Sequence, residues 1–198
     1  MQRGLYTAAT GMLHQRNRLD VIANNISNLN TKGFKKDQVV NRAFNDELLL
    51  RIGKNQIPNA KSIGPLNHGV YIDKVVTSFE QGNMEETDKN THMALEGEGF
   101  FTVLTSGGAE YTRDGEFGID RYGRLVTNEG WPVMGEQGEI YVYDDNFTVD
   151  PNGNVLSDGV FVDKLRIVNF TDLEALRKAN DNYFINTDPE ANREIAFN

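Results

Sequence analysis

Apolar residues recur every seventh position at the start of the chain. Leu5, Met12, Leu19 and Ile26 form one row, and Ala8, Gln15, Ile22 and Leu29 form a second row three residues on. That spacing is an a/d seam with one polar break at Gln15, and it predicts a helix that packs along another helix. Arg3, His14, Arg16, Arg18 and Asp20 lie between the rows and make a solvated face. Asn24, Asn25, Asn28 and Asn30 crowd the end, and Thr31-Lys32-Gly33 follows. Asn and Gly tolerate left-handed backbone, so the helix is expected to stop here. A helix of about 30 residues spans about 45 Å, too long a stripe to cover itself. No later segment carries a matching heptad run; the one other helical candidate is Asp172 to Ala179, with Thr171 or Asp172 as N-cap. The stripe therefore reads as an association element, against the plainer reading that it wraps its own domain.

Beyond the helix the periodicity changes. Residues 36–69 read as an extended connector: KDQVVNRAFNDELLL (36–50) as an extended segment or a short helix ending near Leu50, then Gly53 to Gly69 as irregular chain with Pro58, Gly64 and Pro65 and little periodicity. From Val70 the texture is that of strands, in VYIDKVVTSF and GFFTVLT, with Gly97 and Gly99 marking a tight turn or bulge. An internal repeat follows. FGIDRYGRLVTNEG (117–130) aligns with FTVDPNGNVLSDG (147–159). Each copy reads as strand, Asp-x-x-Gly turn, strand, because Asp can accept backbone N–H groups and Gly can take positive φ. With YTRDG, GWPVMG and KLRIVNF these make a β-rich domain of short strands over 70–198. The expected organisation is a helical assembly segment (1–35), an extended connector (36–69) and the β-rich domain (70–198). The fold class is mainly β with a long N-terminal helix.

Composition narrows the function. The chain has 198 residues, enough for a real core, and a formal net charge of −9, which argues against a nucleic-acid face. There is no cysteine, hence no disulfide or thiolate metal site. No run of about 18 apolar residues spans a membrane, and no cleaved secretory signal stands at the start. His14, His68 and His92 lack ligand spacing. Asp150-Pro-Asn-Gly-Asn resembles a calcium loop, but Val155 stands where Gly is needed and Phe161 where Glu is needed. The carboxylates Glu85, Glu86, Asp88, Asp114, Glu116, Asp144 and Asp145 form no pair that sequence can place across a cleft. No catalytic, cofactor-binding or metal-binding residue is expected. Trp131 reads as a core or surface anchor of the β domain.

RGLYTAATGM (3–12) and LDVIANNISNLNTKGFKKD (19–37) resemble the N-terminal signature of the bacterial flagellar axial proteins, the rod, hook and hook-associated family. TSFEQGNMEETDKNTHMALEGEGFF (77–101), YTRDGEFGIDRYGRLVTNEGWPVMG (111–135) and LRIVNF (165–170) continue the resemblance, nearest to the rod proteins. The resemblance implies a structural subunit of the basal-body rod, polymerising into a tube that transmits torque. It implies other copies and neighbouring rod and hook proteins as partners, export through the flagellar type III apparatus, and residence in the basal body. Family members end in a second amphipathic helix, whereas this sequence reads NREIAFN there, so the missing mate of the stripe corresponds to that helix. The residues expected at the assembly interface are Leu5, Met12, Leu19, Ile22, Asn24, Asn25, Ile26, Asn28, Leu29, Asn30, Gly33 and Phe34. Four Asn within seven residues exceed what one cap needs, so their amides are candidates for bonds to neighbouring subunits. The alternative of another class is an acidic β module that binds calcium or glycan.

Overall fold

The computed structural model describes residues 2–44, 47–53, 56–66, 70–142, 147–179, 182–189 and 194–196. His68, Asp144 and Asp145 lie outside the described residues. The chain divides into two compact units: residues 1–29 with 36–78, and residues 30–35 with 79–198.

The first unit carries the helix α1 (Gln2–Ser27) and the strands β1 (Asp37–Ala43), β2 (Glu47–Gly53), β3 (Gln56–Leu66) and β4 (Val70–Thr77). The segment 36–69, expected as a connector, is thus largely strand. β2 and β3 pair antiparallel with each other. β1 pairs antiparallel with β4, bringing Val39 opposite Val75, with a bulge between Val40 and Asn41. Val70–Thr77 was expected to open the β-rich domain; it runs with this unit because two valine-bearing strands pair better with each other than either stands alone.

The second unit holds β5 (Phe100–Thr105), β6 (Gly108–Thr112), β7 (Phe117–Ile119), β8 (Leu125–Thr127), β9 (Phe147–Val149), β10 (Asn154–Ser157), β11 (Val160–Lys164), β12 (Ile167–Phe170), β13 (Leu176–Lys178), β14 (Tyr183–Asn186) and β15 (Glu194–Ala196). A six-stranded sheet runs in the order β13-β14-β6-β5-β12-β15, its neighbours antiparallel. Successive side chains of a strand point to opposite faces. Phe101 and Val103 of β5 therefore enter one core, with Phe117, Leu125, Phe147 and Val155. Phe100 enters a second, with Tyr111, Phe170, Leu176 and Phe184. Phe101 meets Phe117 edge-on at 5.1 Å, and Phe100 meets Phe79 edge-on at 5.6 Å.

The repeat is two hairpins of one design. Asp120 Oδ1 accepts from the amides of Tyr122 (2.8 Å) and Arg124 (2.9 Å). Asp150 Oδ1 accepts from the amides of Asn152 and Asn154, both at 2.9 Å. Gly123 and Gly153 each take φ +80, which an L residue resists. The matched pairs Phe117/Phe147 and Leu125/Val155 are all buried in the first core. The segment Asp172–Ala179, expected as a helix, is instead a single 3₁₀ turn (Leu173–Ala175) capped by Asp172, followed directly by β13. Leu176 fills the second core from a strand, and that burial overrides a composition rich in helix formers.

Candidate assembly surface

α1 packs on β1 and β4 within the first unit, and it does so through a polar face. Thr10, Gly11, His14, Val21 and Asn25 are its half-buried positions, and Asn28, just past its end, is half-buried too. At about 100° per residue Thr10, His14 and Val21 lie roughly a third of a turn or more from the middle of the heptad stripe, while Gly11 and Asn25 stand at its edge. The His14 ring shares a 2.7 Å hydrogen bond with Asn41 Oδ1 on β1. Tyr6 leans towards Phe44, which meets Tyr71 in a tilted arrangement at 5.1 Å.

The stripe itself is left in solvent. Exposure ranges from 42% at Ile22 to 80% at Leu29, with Leu5, Met12, Leu19 and Ile26 between these values. Covering a Leu, Ile or Met side chain from water is worth roughly 1.5–3 kcal/mol, so six along one two-row stripe are a strong inducement to associate. Among the described residues no helix is long and apolar enough to cross a membrane.

The asparagines divide by role. Asn25 Nδ2 donates to Asp37 O at 2.9 Å, and its Oδ1 accepts from Asp37 N at 3.0 Å. Asn28 Nδ2 donates to Asn24 O at 2.9 Å, where Ser27 Oγ also donates at 2.8 Å. The Asn24 carbonyl, which already accepts from the Asn28 amide at 3.2 Å, thus takes two side-chain bonds as well. Asn25 and Asn28 thus have partners within the chain, while Asn24 and Asn30 are exposed.

Gly33 and Phe34 sit among residues of the β domain. Gly33 takes φ +68 and lies against the Arg113–Asp114 peptide, where a Cβ would come within 2.4 Å of a backbone atom. Lys178 Nζ stands 4.2 Å from the centre of the Phe34 ring. Beside them Lys35 is buried, and its Nζ donates to Glu80 O at 2.7 Å. Burial, and then the nearby Arg113 guanidinium, lower its pKa. Sequence reasoning passed over Lys35 and the polar face of α1, because burial of a lysine or a histidine leaves no periodic signal.

The carboxylate singled out for calcium is otherwise engaged. Asp150 Oδ2 accepts from Asn154 Nδ2 at 2.8 Å, in addition to the two amides on Oδ1. These donors, the Asn154 side chain foremost, hold its pKa below the usual carboxylate value. His92 Nδ1 shares a 3.1 Å hydrogen bond with Thr87 Oγ1, and its Nε2 lies 3.9 Å from Glu116.

The comparisons with known proteins fall on these two parts of the chain. Residues 5–35 match the family model described as flagella basal body rod protein. Residues 94–164 match the model of the flagellar hook protein FlgE/F/G D1 domain, a span that takes in the twin hairpins. The flagellar basal-body rod protein FlgF of Caulobacter vibrioides is 32% identical over 192 residues, covering 94% of this chain and 74% of the relative.

The chain belongs to the flagellar basal-body rod protein family.

The flagellar hook-basal body complex protein FlhO of Bacillus subtilis is also 32% identical, over 92% of this chain and 74% of its own length. The flagellar basal-body rod protein FlgG of Borreliella burgdorferi is 41% identical over 140 residues; there the match takes in 68% of this chain and 52% of the relative. Membership of the family makes this a structural protein of the flagellar basal body, associated with other rod and hook proteins. None of the matches speaks for the calcium or glycan alternative.

Proposed function

We propose that this chain polymerises with copies of itself and with neighbouring rod and hook proteins into the axial tube that carries torque from motor to hook, after export through the type III apparatus, and that it has no catalytic role. The exposed heptad stripe of α1 is the observation that carries the proposal. A seam of Leu, Ile and Met at seven-residue spacing is complementary to another such seam. α1 already meets its own unit through a different, polar face, so the stripe is left for a helix of a neighbouring subunit or for a second helix of the same protein. Seam contacts that do not close on themselves build a helical filament rather than a ring or dimer. Asn24 and Asn30, exposed at the helix end, supply amides that can fix the register of the neighbour.

The absence of cysteine allows a direct test. Leu19→Cys, paired with a second cysteine substituted at Leu5, Met12 or Ile26 and expressed as the gene's full product in cells lacking the native protein, should form disulfide cross-links between adjacent subunits when purified basal bodies are treated with a mild oxidant. Arg16→Cys, on the solvated face, should not. Equal cross-linking at both positions, or none at Leu19 in protein present in the basal body, would reject the seam as the assembly surface.

A further inference from the structure

The chain leaves the first unit at Leu29, contributes six residues to the β domain, and returns to the first unit at Lys36. Those six residues do not lie slack. Asn182 Nδ2 donates to Lys32 O. The Gly33 Cα is seated on the Arg113–Asp114 peptide. Lys178 stands over the Phe34 ring, and its Nζ donates to Lys35 O at 2.6 Å. Lys35, buried, donates from Nζ to Glu80 O. Four separated places in the β domain thus hold one short strap, by contacts made along its length. Burying a lysine is costly unless its hydrogen bonds are met, and a left-handed Gly against backbone leaves no room for another residue. A segment that only connected two units would carry neither feature.

We infer that residues 30–35 are a force-transmitting strap, through which tension on the α1 segment passes into the β domain at Lys178, Asn182, Glu80 and the Arg113 peptide. This rests on the proposed torque-bearing role of the chain. Tension at Leu29 or Lys36 is then taken up by side-chain and backbone contacts distributed over the β domain. Phe34 and Lys178 are the positioning residues: Lys178 stands over the Phe34 ring and donates to the strap backbone at Lys35 O, whereas the Lys32–Glu85 pair, at 3.7 Å, is exposed.

The test uses Phe34→Ala, Phe34→Trp, Lys178→Met and the double variant Phe34→Ala/Lys178→Met in the full chain. Phe34→Ala and Lys178→Met should each lower the melting temperature of the β domain by about 5 °C, and Phe34→Trp, which keeps a π face under the ammonium, should restore most of it. The double variant should lose less than the sum of the two. In tethered cells Phe34→Ala should enter basal bodies yet stall under viscous load at which Phe34→Trp still turns. Unchanged melting, additive losses, or wild-type rotation of Phe34→Ala under load would each overturn the strap. Absence of Phe34→Ala from basal bodies while its melting temperature stays at the wild-type value would place Phe34 in a subunit contact, and would overturn it too. Absence of the unaltered protein from basal bodies is a separate result, which removes the rod proposal itself.

Discussion

The side-chain amide of Asn25 pairs with the peptide of Asp37 as a neighbouring strand would, giving one hydrogen bond at 2.9 Å and taking one at 3.0 Å. The helix end is thereby fastened to the first residue of β1, and Thr77 Oγ1 adds a bond from β4 to the Asp37 carboxylate at 2.7 Å. Asn25→Ala removes both of these bonds from the half-buried Asp37 peptide and should cost the first unit about 1–3 kcal/mol. Asn25→Asp keeps the acceptor but turns a carboxylate oxygen towards the Asp37 carbonyl, so it should be no better. Asn24→Ala should be neutral to within about 0.5 kcal/mol, since it is the carbonyl of Asn24, not its side chain, that takes the bonds from Ser27 and Asn28. Amide exchange at Asp37 and along β1 reads all three; equal exchange in Asn25→Ala and the parent would refute the fastening.

Acid should find the twin turns. The Asn154 side chain and amide, with the Asn152 amide, hold Asp150 below the ordinary carboxylate pKa against the opposing effect of burial. A depressed carboxylate adds stability above its unfolded pKa, near 4, and that stability is lost as pH falls through the folded value. Asp150→Asn keeps an oxygen for the Asx turn but cannot ionise and sets an amide against Asn154 Nδ2. Its melting temperature should lie below the parent's at pH 7, and the gap should close below about pH 3. A gap that stays constant with pH would mean the charge contributes nothing. Asp114 has the opposite sign: burial raises its pKa, so its ionisation opposes folding as pH rises.

Gly33 is held to its identity twice over, by φ +68 and by the Arg113 carbonyl carbon 2.4 Å from where a Cβ would stand. The atoms in the way are backbone and cannot swing aside. Gly33→Ala should therefore cost the β domain roughly 3 kcal/mol or more, read as a lower urea midpoint at unchanged slope. Gly4→Ala, with nothing within 4 Å, is the comparison, and it should stabilise α1 slightly if it does anything. Similar midpoints for the two would show that the strap yields easily.

What could be read in the sequence was what repeats. The seam has a period of seven, and the hairpins repeat Asp, Gly and two apolar positions, so both were legible without coordinates. The face by which α1 meets β1 was not, because Thr10, His14 and Asn25 look like solvent residues until Asn41 and Asp37 are placed beside them. The same holds for β13. Leu176 sits in a run of helix formers, and only the burial offered by Phe100 and Phe184 makes it a strand. Within residues 36–69, β1 pairs with a strand distant in sequence, as when Asp37 meets Thr77, and local pattern has no access to that.

The last expectation separates stability from assembly at the seam. Leu19 is 64% exposed within the chain, so removing it empties no cavity and unsatisfies no neighbour. Leu19→Asp should therefore change the melting temperature of the isolated chain by little, within the range of surface substitutions of about 0.5 kcal/mol. In the assembled rod the same position would be covered by another helix. There the carboxylate must be desolvated without a partner, on top of the lost apolar contact, which together exceed several kcal/mol for each subunit interface. Rod incorporation, and with it swimming, should fail in cells whose only copy carries Leu19→Asp, tested in the gene's full product. Ile22→Asp, at 42% exposure on the second row, should fail in the same way with a somewhat larger effect on melting. Arg16→Asp, off the seam, should swim. If both seam variants are found in basal bodies and swim normally, the stripe is not the surface on which this protein assembles.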